Sequence, residues 1–528
     1  MIWKYIANQS KTEQMNTSNS NEAFGHPKGL IYLFFAELWE RFSFYGMRAL
    51  LVLYMTKQLL FTDDMAFGVY AAYMSLVYVT PMIGGILADK ILGFRKAILL
   101  GGVLMALGHF FLTFEHPVFF YGSLGLIIVG NGFFKPNISS FVGDLYKQGD
   151  SRRDSGFTIF YLGINLGAAI APLACAWFAE SYGWHYGFVL AGIGMIAGLL
   201  VFKNGLKNNV FGTKGLVPDE SLYNQKYFGL SKGKCIILSA FLVVPLFGII
   251  VKFHEFEHYL VWIVSALLLL YIIFILRSVS AIEKKRLKVA LYFTVLYTLF
   301  SAIFEQAGSS LTLFADRNVN LIGMDAAGTN SINAGFIILF AIPFSMLWTY
   351  LSKRKRNPNS AVKFSLGLIF LGLGFIVFAL SANSVDEFAK TSMLYLVVGY
   401  LVLTIGELFL SPIGLSKMTE LSPLKYIAFI MGVWFSANFY GHYFAGKIAM
   451  LTTVSNGETN MFTKGVFGEI VEFITGITPE IAIQNSENFQ QLYSYLAVYA
   501  SFGVISVIVG IFALLISPVI KKMMSGVH

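Results

Sequence analysis

From residue 29 almost to its end, the chain is a succession of apolar runs separated by charges or turn residues, each long enough to cross the roughly 30 Å of hydrocarbon in a bilayer. About fourteen are legible, near 29–58, 65–88, 96–114, 118–145, 156–180, 186–203, 234–252, 259–277, 288–314, 330–351, 362–382, 391–416, 425–452 and 488–519. Composition agrees with that reading, since 56% of the 528 residues are hydrophobic and only 13% are charged. The expectation is an all-α, multi-pass membrane protein in a lipid bilayer. Its 51 Phe suit lipid-facing and interfacial surfaces.

The formal charge of +9 is a topology signal. Lys and Arg fall in alternate loops: Lys90, Arg95 and Lys96, then Lys147, Arg152 and Arg153, then Lys284, Lys285 and Arg286, then Lys353 to Arg356, then Lys521 and Lys522. The loops between them carry Asp63, Asp64, Glu115, Glu180, Asp316, Asp386 and Glu387. The positive-inside rule then makes the basic loops and both termini cytoplasmic, which an even number of spans requires. Basic residues clustered with exposed aromatics on a soluble face are missing, so no nucleic-acid partner is expected. Residues 1–28 are polar, lack the apolar core of a cleaved signal, and read as a flexible cytoplasmic tail. Cys175 and Cys235 stand alone, with no metal-like spacing and no expected disulfide.

The first run, Ala36 to Met55, contains Glu37, Glu40, Arg41 and Arg48, with Tyr45 among them. Each charge at the centre of a membrane helix costs about 2.5–3.5 kcal/mol, so four of them mark a polar pathway. Positions 37, 40, 41, 45 and 48 follow the i, i+3, i+4 progression. This face is expected to line a water-filled cavity and to leave lipid to Leu38, Leu50 and Leu51.

Between the second and third runs, GGILADKILGFRK (Gly84 to Lys96) places an acid and paired bases in a glycine-bearing turn, suited to latching helix bundles through salt bridges. It resembles the signature loop of the major facilitator superfamily, whose members have two six-helix halves related by an axis along the membrane normal. On that frame the runs near 234–252 and 259–277 are an inserted pair. The expected organisation is 1–28 tail, 29–204 first six-helix bundle, 205–287 linker with two inserted transmembrane helices, 288–520 second six-helix bundle and 521–528 tail. Within the second bundle, 454–488 is expected to be an extracellular excursion with one helix. Glu305 then falls on the first helix of the second half. Lys135 and Glu407 are the lone strong charges of the two fourth helices, opposite in sign and placed to pair across the midplane and separate as the halves rock.

Three segments carry a closer resemblance: Glu37 to Gly46 (ELWERFSFYG), Gly130 to Asp144 (GNGFFKPNISSFVGD) and Phe160 to Gly167 (FYLGINLG). They are similar to the first-, fourth- and fifth-helix motifs of the proton-dependent oligopeptide transporter family, and the likeness covers nearly the whole chain. It implies a proton-coupled symporter importing di- and tripeptides by alternating access in the cytoplasmic (inner) membrane. Such a protein works as a monomer with no cofactor and no metal. It further implies that Arg41 and Lys135 hold the peptide carboxylate, and that Glu407, Asn165 and Asn333 take the amino terminus. Tyr45, Tyr78 and Trp434 would line the backbone and side-chain pocket. Glu37, Glu40 and Glu305 would handle protons, and Arg48 with Glu305 would form the extracellular gate. Departures from the motif are Phe44, Ser301 and Ala71, where many members carry tyrosine, tryptophan and, in animals, histidine.

Independent chemistry points the same way. A zwitterionic peptide has fixed termini and variable side chains, so cations on one wall and an anion on the other read its length while tolerating its side chains. An alternative is the same scaffold moving another small anion or an amphiphilic drug-like solute. An intramembrane enzyme is not expected: the HExxH match at His254 to His258 (HEFEH) falls between the runs near 234–252 and 259–277 instead of within a helical run, and no serine–histidine dyad lies in a glycine-bearing span. His109, His254 and His442 are scattered and receive no ligand role.

Overall fold

The computed structural model describes residues 22–147, 150, 152–227, 229–454 and 461–526. Most of the expected N-terminal tail, part of the 454–488 excursion and the last two residues lie outside the described residues. The helices are α1 (Gly29–Lys57), α2 (Asp63–Leu87), α3 (Gly93–Phe111), α4 (Pro117–Asp144), α5 (Arg153–Tyr182), α6 (Trp184–Lys207), α7 (Glu220–Asn224), α8 (Lys232–Leu242), α9 (Val244–Lys252) and α10 (Glu257–Ser278). They continue as α11 (Ala281–Phe304), α12 (Ser310–Asn318), α13 (Ser331–Lys353), α14 (Ser360–Ala379), α15 (Met393–Leu421), α16 (Ile427–Met450), α17 (Gly465–Thr475), α18 (Pro479–Gln484) and α19 (Glu487–Met523). Eleven stretches of the described residues are long and apolar enough to cross a membrane, and the first, Asp63–Phe111, holds both α2 and α3. With α1 and α16, also of membrane length, these account for the expected spans. Three two-stranded pairings, such as Val319 with Thr391 in parallel, only trim loops.

Helices α1 to α6 form one half, with α1 packed on α5 and α6, and α4 packed on α2 and α3. Helices α11 to α16 with α19 form the other, with α14 against α15 and α19. The halves meet along two helix pairs, α2 with α16 and α5 with α13, and α12 also touches α1. This is the two-bundle architecture of the major facilitator superfamily. The inserted pair packs through α9 on α4, at a contact where Gly248 faces the carbonyl of Tyr121 and no larger residue fits.

Several expectations are corrected. Leu50 and Leu51 face protein, at 1% and 0% exposure, because α1 sits inside its bundle. The run near 288–314 is broken: α11 ends at Phe304, Glu305–Gly308 is a 3₁₀ turn, and α12 starts at Ser310. Freed backbone groups at membrane depth need new partners, and local side chains provide them. The Gln306 amide donates to the carbonyls of Ala302 (3.1 Å) and Ala445 (2.9 Å), and the Thr312 hydroxyl donates to Ala307 (2.8 Å). The run near 234–252 divides at Val243, just before Pro245. The described part of 454–488 carries two helices, α17 and α18, rather than one. The glycine-rich turn does not bridge the halves. Gly93 takes φ +73°, and Arg95 donates to the carbonyls of Gly212 (2.6 Å) and Lys214 (2.7 Å), tying α3 to the loop after α6 of the same half.

Close helix approach depends on glycine at the α3–α4 contact. A Cβ on Gly101 would lie 2.5 Å from the Gly130 carbonyl, and one on Gly130 would lie 2.7 Å from that of Gly101. Gly130→Val should therefore cost about 1–3 kcal/mol or more. Gly335→Val, at a site with nothing within 4 Å, should leave stability unchanged. Thermal unfolding of the two variants in detergent checks this, and equal midpoints would refute the packing argument.

Candidate functional site

Where the halves meet, a cavity of about 230 Å³ opens at mid-depth. Its wall takes Tyr45 and Arg48 from α1, Tyr78 from α2, Tyr161 and Asn165 from α5, Tyr297, Phe300 and Ser301 from α11, Glu305 from the 3₁₀ turn, Asn333 from α13 and Glu407 from α15. Polar side chains from both halves thus converge on one space.

The anionic wall is built by the second half. The amide of Asn333 donates to Glu407 at 3.0 Å and to the Thr404 hydroxyl at 2.9 Å. One amide therefore fixes the carboxylate while leaving its other oxygen for a ligand. Asn165, from the first half, donates to the carbonyl of Tyr161 at 2.9 Å, which aims its own carbonyl oxygen elsewhere.

The opposite wall contains an ion pair between the halves. Arg48 Nη2 contacts Glu305, and Arg48 Nε donates to the Tyr70 hydroxyl at 2.7 Å. Gly308 makes this possible, since any side chain there would collide with Tyr70 and Arg48. The guanidinium also lies 5.9 Å from the Tyr45 ring centre.

The remaining charges of α1 do not reach the cavity among its described lining residues. Arg41 is 2% exposed; its Nη2 donates to Glu40 at 2.6 Å and its Nε lies 3.3 Å from Glu37. A single cation between two carboxylates satisfies itself inside α1, so the expected continuous cavity face is correct for Tyr45 and Arg48 and is corrected for Glu37, Glu40 and Arg41. Lys135 likewise stands behind the wall. Its Nζ lies over the Tyr78 ring at 4.5 Å and makes no ion pair among the described residues, so it is apart from Glu407. Trp434 also lies outside the lining residues, stacked on Tyr297 at 4.6 Å.

Beyond the Arg48–Glu305 pair, toward the end opposite the termini, two more ion pairs join the halves. Lys57 meets Asp316 at 2.6 Å, and Arg317 grips Asp63 through both terminal nitrogens at 2.5 and 2.8 Å. The Thr453 hydroxyl adds a bond to Asp64 at 2.8 Å. Among the described residues the ion pairs between the halves are Arg48–Glu305, Lys57–Asp316 and Arg317–Asp63. The sequence held the signal: Lys57 and Arg317 are basic residues among loops otherwise marked by acids. His442, to which no role was given, is 1% exposed, stacks on Tyr78 at 4.8 Å and approaches Glu305 to 3.8 Å. Tyr70 was missed as well. Both cysteines are free, and Cys175 is buried against Gly46.

Comparison with known proteins places this site in context. A profile described as the POT family matches residues 95–465. The chain is 36% identical over 516 residues to the uncharacterized transporter YclF of Bacillus subtilis, covering 96% of each. It is 37% identical to the peptide transporter YePEPT of Yersinia enterocolitica (82% of this chain, 89% of that one) and 32% identical to a di-/tripeptide transporter of Lactococcus lactis (85% and 95%). Among solved structures, a peptide transporter POT in complex with alafosfalin superposes with a TM-score of 0.77 at 34% identity, covering 96% of this chain and 98% of that one. A POT family transporter in complex with a thioalcohol-conjugated peptide gives a TM-score of 0.75 at 30% identity, covering 95% and 98%. The fold, the site between the halves and the profile agree, and the chain belongs to the POT family.

Proposed function

We propose that this protein is a proton-coupled symporter that imports di- and tripeptides by alternating access. It works as a monomer in the cytoplasmic membrane with both termini inside. Residues 29–204 and 288–520 are the two rocking halves, and 205–287 is the linker carrying the inserted pair. The observation that carries the reading is the cavity's polarity: Glu407, oriented by Asn333, on one side and Arg48 with tyrosine hydroxyls on the other. The likeness to named peptide transporters supports the substrate class.

In this reading Glu407, with Asn333 and Asn165, receives the peptide ammonium, while Tyr45 and Tyr78 bond its backbone. Arg41 and Lys135 take the carboxylate only after movement, since Arg41 is held by Glu37 and Glu40 and Lys135 by the Tyr78 ring. Trp434 acts through Tyr297, against which it stacks, and so shapes the pocket from behind. Proton handling falls to Glu37, Glu40 and Glu305, each beside an arginine. A carboxylate that accepts a proton loses its hold on that arginine, which links proton binding to movement of the charge. One proton charge crossing about 100 mV supplies about 2.3 kcal/mol, enough for roughly fifty-fold accumulation of a neutral peptide.

The first test is dialanine uptake into proteoliposomes under an imposed potential and pH gradient. Accumulation abolished by a protonophore, and blocked by unlabelled peptide but not by free amino acid, is expected; absence of peptide movement would defeat the proposal. Glu407→Gln removes the charge opposite the ammonium and should weaken peptide binding by about 2 kcal/mol or more, roughly thirty-fold. Tight binding by that variant, measured by calorimetry, would remove the residue's role. The outer pairs make a third prediction. Asp63→Arg sets two cations together and should favour the state open at that end, raising labelling of a cysteine placed beside the cavity. Asp63→Arg with Arg317→Asp should restore the wild-type labelling rate, and failure to do so would deny the pair its closing role.

A further inference from the structure

One buried titratable side chain is not used by this mechanism. His442 lies in the middle of α16, with its Nε2 atom buried and without a hydrogen-bond partner. A buried polar atom left unpaired normally costs stability, so its retention calls for an account. The atom is aimed at Glu305: Nε2 lies 3.8 Å from Oε1, while Oε2 of the same carboxylate meets Arg48. One carboxylate thus faces a guanidinium with one oxygen and an imidazole with the other.

The groups around the imidazole divide between the halves. Glu305, on the turn after α11, is fixed to α16 because Gln306 donates to the Ala445 carbonyl at 2.9 Å and Gly441 packs on Ser301. His442 and Glu305 therefore move as one body. Arg48 on α1, Tyr78 on α2 and Lys135 on α4 belong to the other half. Tyr78 stacks on the imidazole with ring centres 4.8 Å apart at 25°, and the Lys135 ammonium lies over the same tyrosine. Tyr70, bonded to Arg48, completes the surroundings.

We propose that His442 is the proton acceptor that discharges Glu305 when the gate closes. With the halves apart, Arg48 is withdrawn and Glu305 takes a proton from outside. On closure Arg48 returns. The O–H bond at Glu305 Oε1 breaks, an N–H bond forms at His442 Nε2, and the carboxylate left behind pairs with Arg48. The imidazolium then gives its proton to water in the cavity and returns to imidazole. Imidazole suits the step because the Nε2 lone pair can take a proton and give it up again with no other bond changing. A modest side-chain rotation closes 3.8 Å to hydrogen-bond distance, as such contacts commonly tighten during turnover.

This inference rests on the symport reading, and the test separates the two. Wild type and His442→Gln are compared in the same proteoliposomes by protonophore-sensitive dipeptide accumulation, by peptide counterflow without a gradient, and by the dependence of driven uptake on lumenal pH. The amide keeps a polar side chain of similar reach but cannot carry the proton. Driven accumulation should fall at least ten-fold while counterflow falls far less. The slowing of wild-type uptake as lumenal pH drops from 7.5 to 5.5 at constant gradient, caused by reprotonation of the imidazole, should disappear. Equal driven uptake with an unchanged pH profile would make His442 a packing residue and leave symport standing; no driven uptake by wild type would overturn both. Should the variant not fold, the wild-type profile decides alone, since driven uptake indifferent to lumenal pH across that range contradicts the relay.

Discussion

A guanidinium and a carboxylate buried between two half-molecules set the terms for everything else in this structure. Each ion removed from water costs several kcal/mol, and their attraction offsets this only with good geometry and further hydrogen bonds. Arg48 obtains both from Glu305 and Tyr70, in a space that exists because residue 308 is glycine. Removing one partner of such a pair costs about 3–5 kcal/mol, much of it the cost of stranding the other charge. The pair is therefore not a graded contact. In this structure it is made, with the Lys57–Asp316 and Asp63–Arg317 bridges beyond it; under the proposed relay it is released with a proton taken up at Glu305, which leaves no charge stranded.

The rest of the polar seam is arranged around that choice. Glu37 and Glu40 neutralise Arg41 within α1, and the ring of Tyr78 holds Lys135, so both are compensated without substrate. Glu407 differs: an amide orients it, and no cation offsets it among the described residues. In the proposed reading the cavity receives a positive group first, and the cations on the opposite side become available as their partners are drawn off. An ammonium-bearing substrate with a carboxylate at the far end satisfies both conditions in sequence. A simple anion satisfies neither, which disfavours the same scaffold moving anions.

Much of this was legible in the sequence, because lipid punishes error. All the apolar runs became helices, since backbone groups in hydrocarbon have no other partners and each run is bounded by charges. The resemblance paired Arg48 with Glu305, which are in contact, whereas it grouped Asn333 with Glu407 only as facing one peptide terminus and did not foresee the hydrogen bond between them. What failed was radial placement. Periodicity said that Glu37, Glu40, Arg41, Tyr45 and Arg48 share a face, but not that Arg41 would fold back on its two carboxylates, nor that α1 would be enclosed so that Leu50 and Leu51 meet protein. The break after Phe304 was equally hidden, because nothing in the sequence shows that Gln306 bonds across to Ala445 on α16 and that Ser310 accepts from Tyr499 on α19. His442 escaped for the same reason: its partners are separated from it by hundreds of residues.

That break is also what makes the site mechanically useful. In an unbroken helix Glu305 would point only in the direction its helical position dictates. The 3₁₀ turn instead projects it toward both halves, while the Gln306–Ala445 bond ties its backbone to α16. Glu305 and His442 are consequently rigid with respect to one another, whereas Arg48 and Tyr78 arrive and leave with the opposite bundle. Rocking does not need to transmit force along a path of residues to alter protonation. It changes whether Arg48 stands beside the carboxylate that His442 faces throughout. Under the proposed relay, motion of the halves and movement of the proton are one event, described once in distances and once in charge.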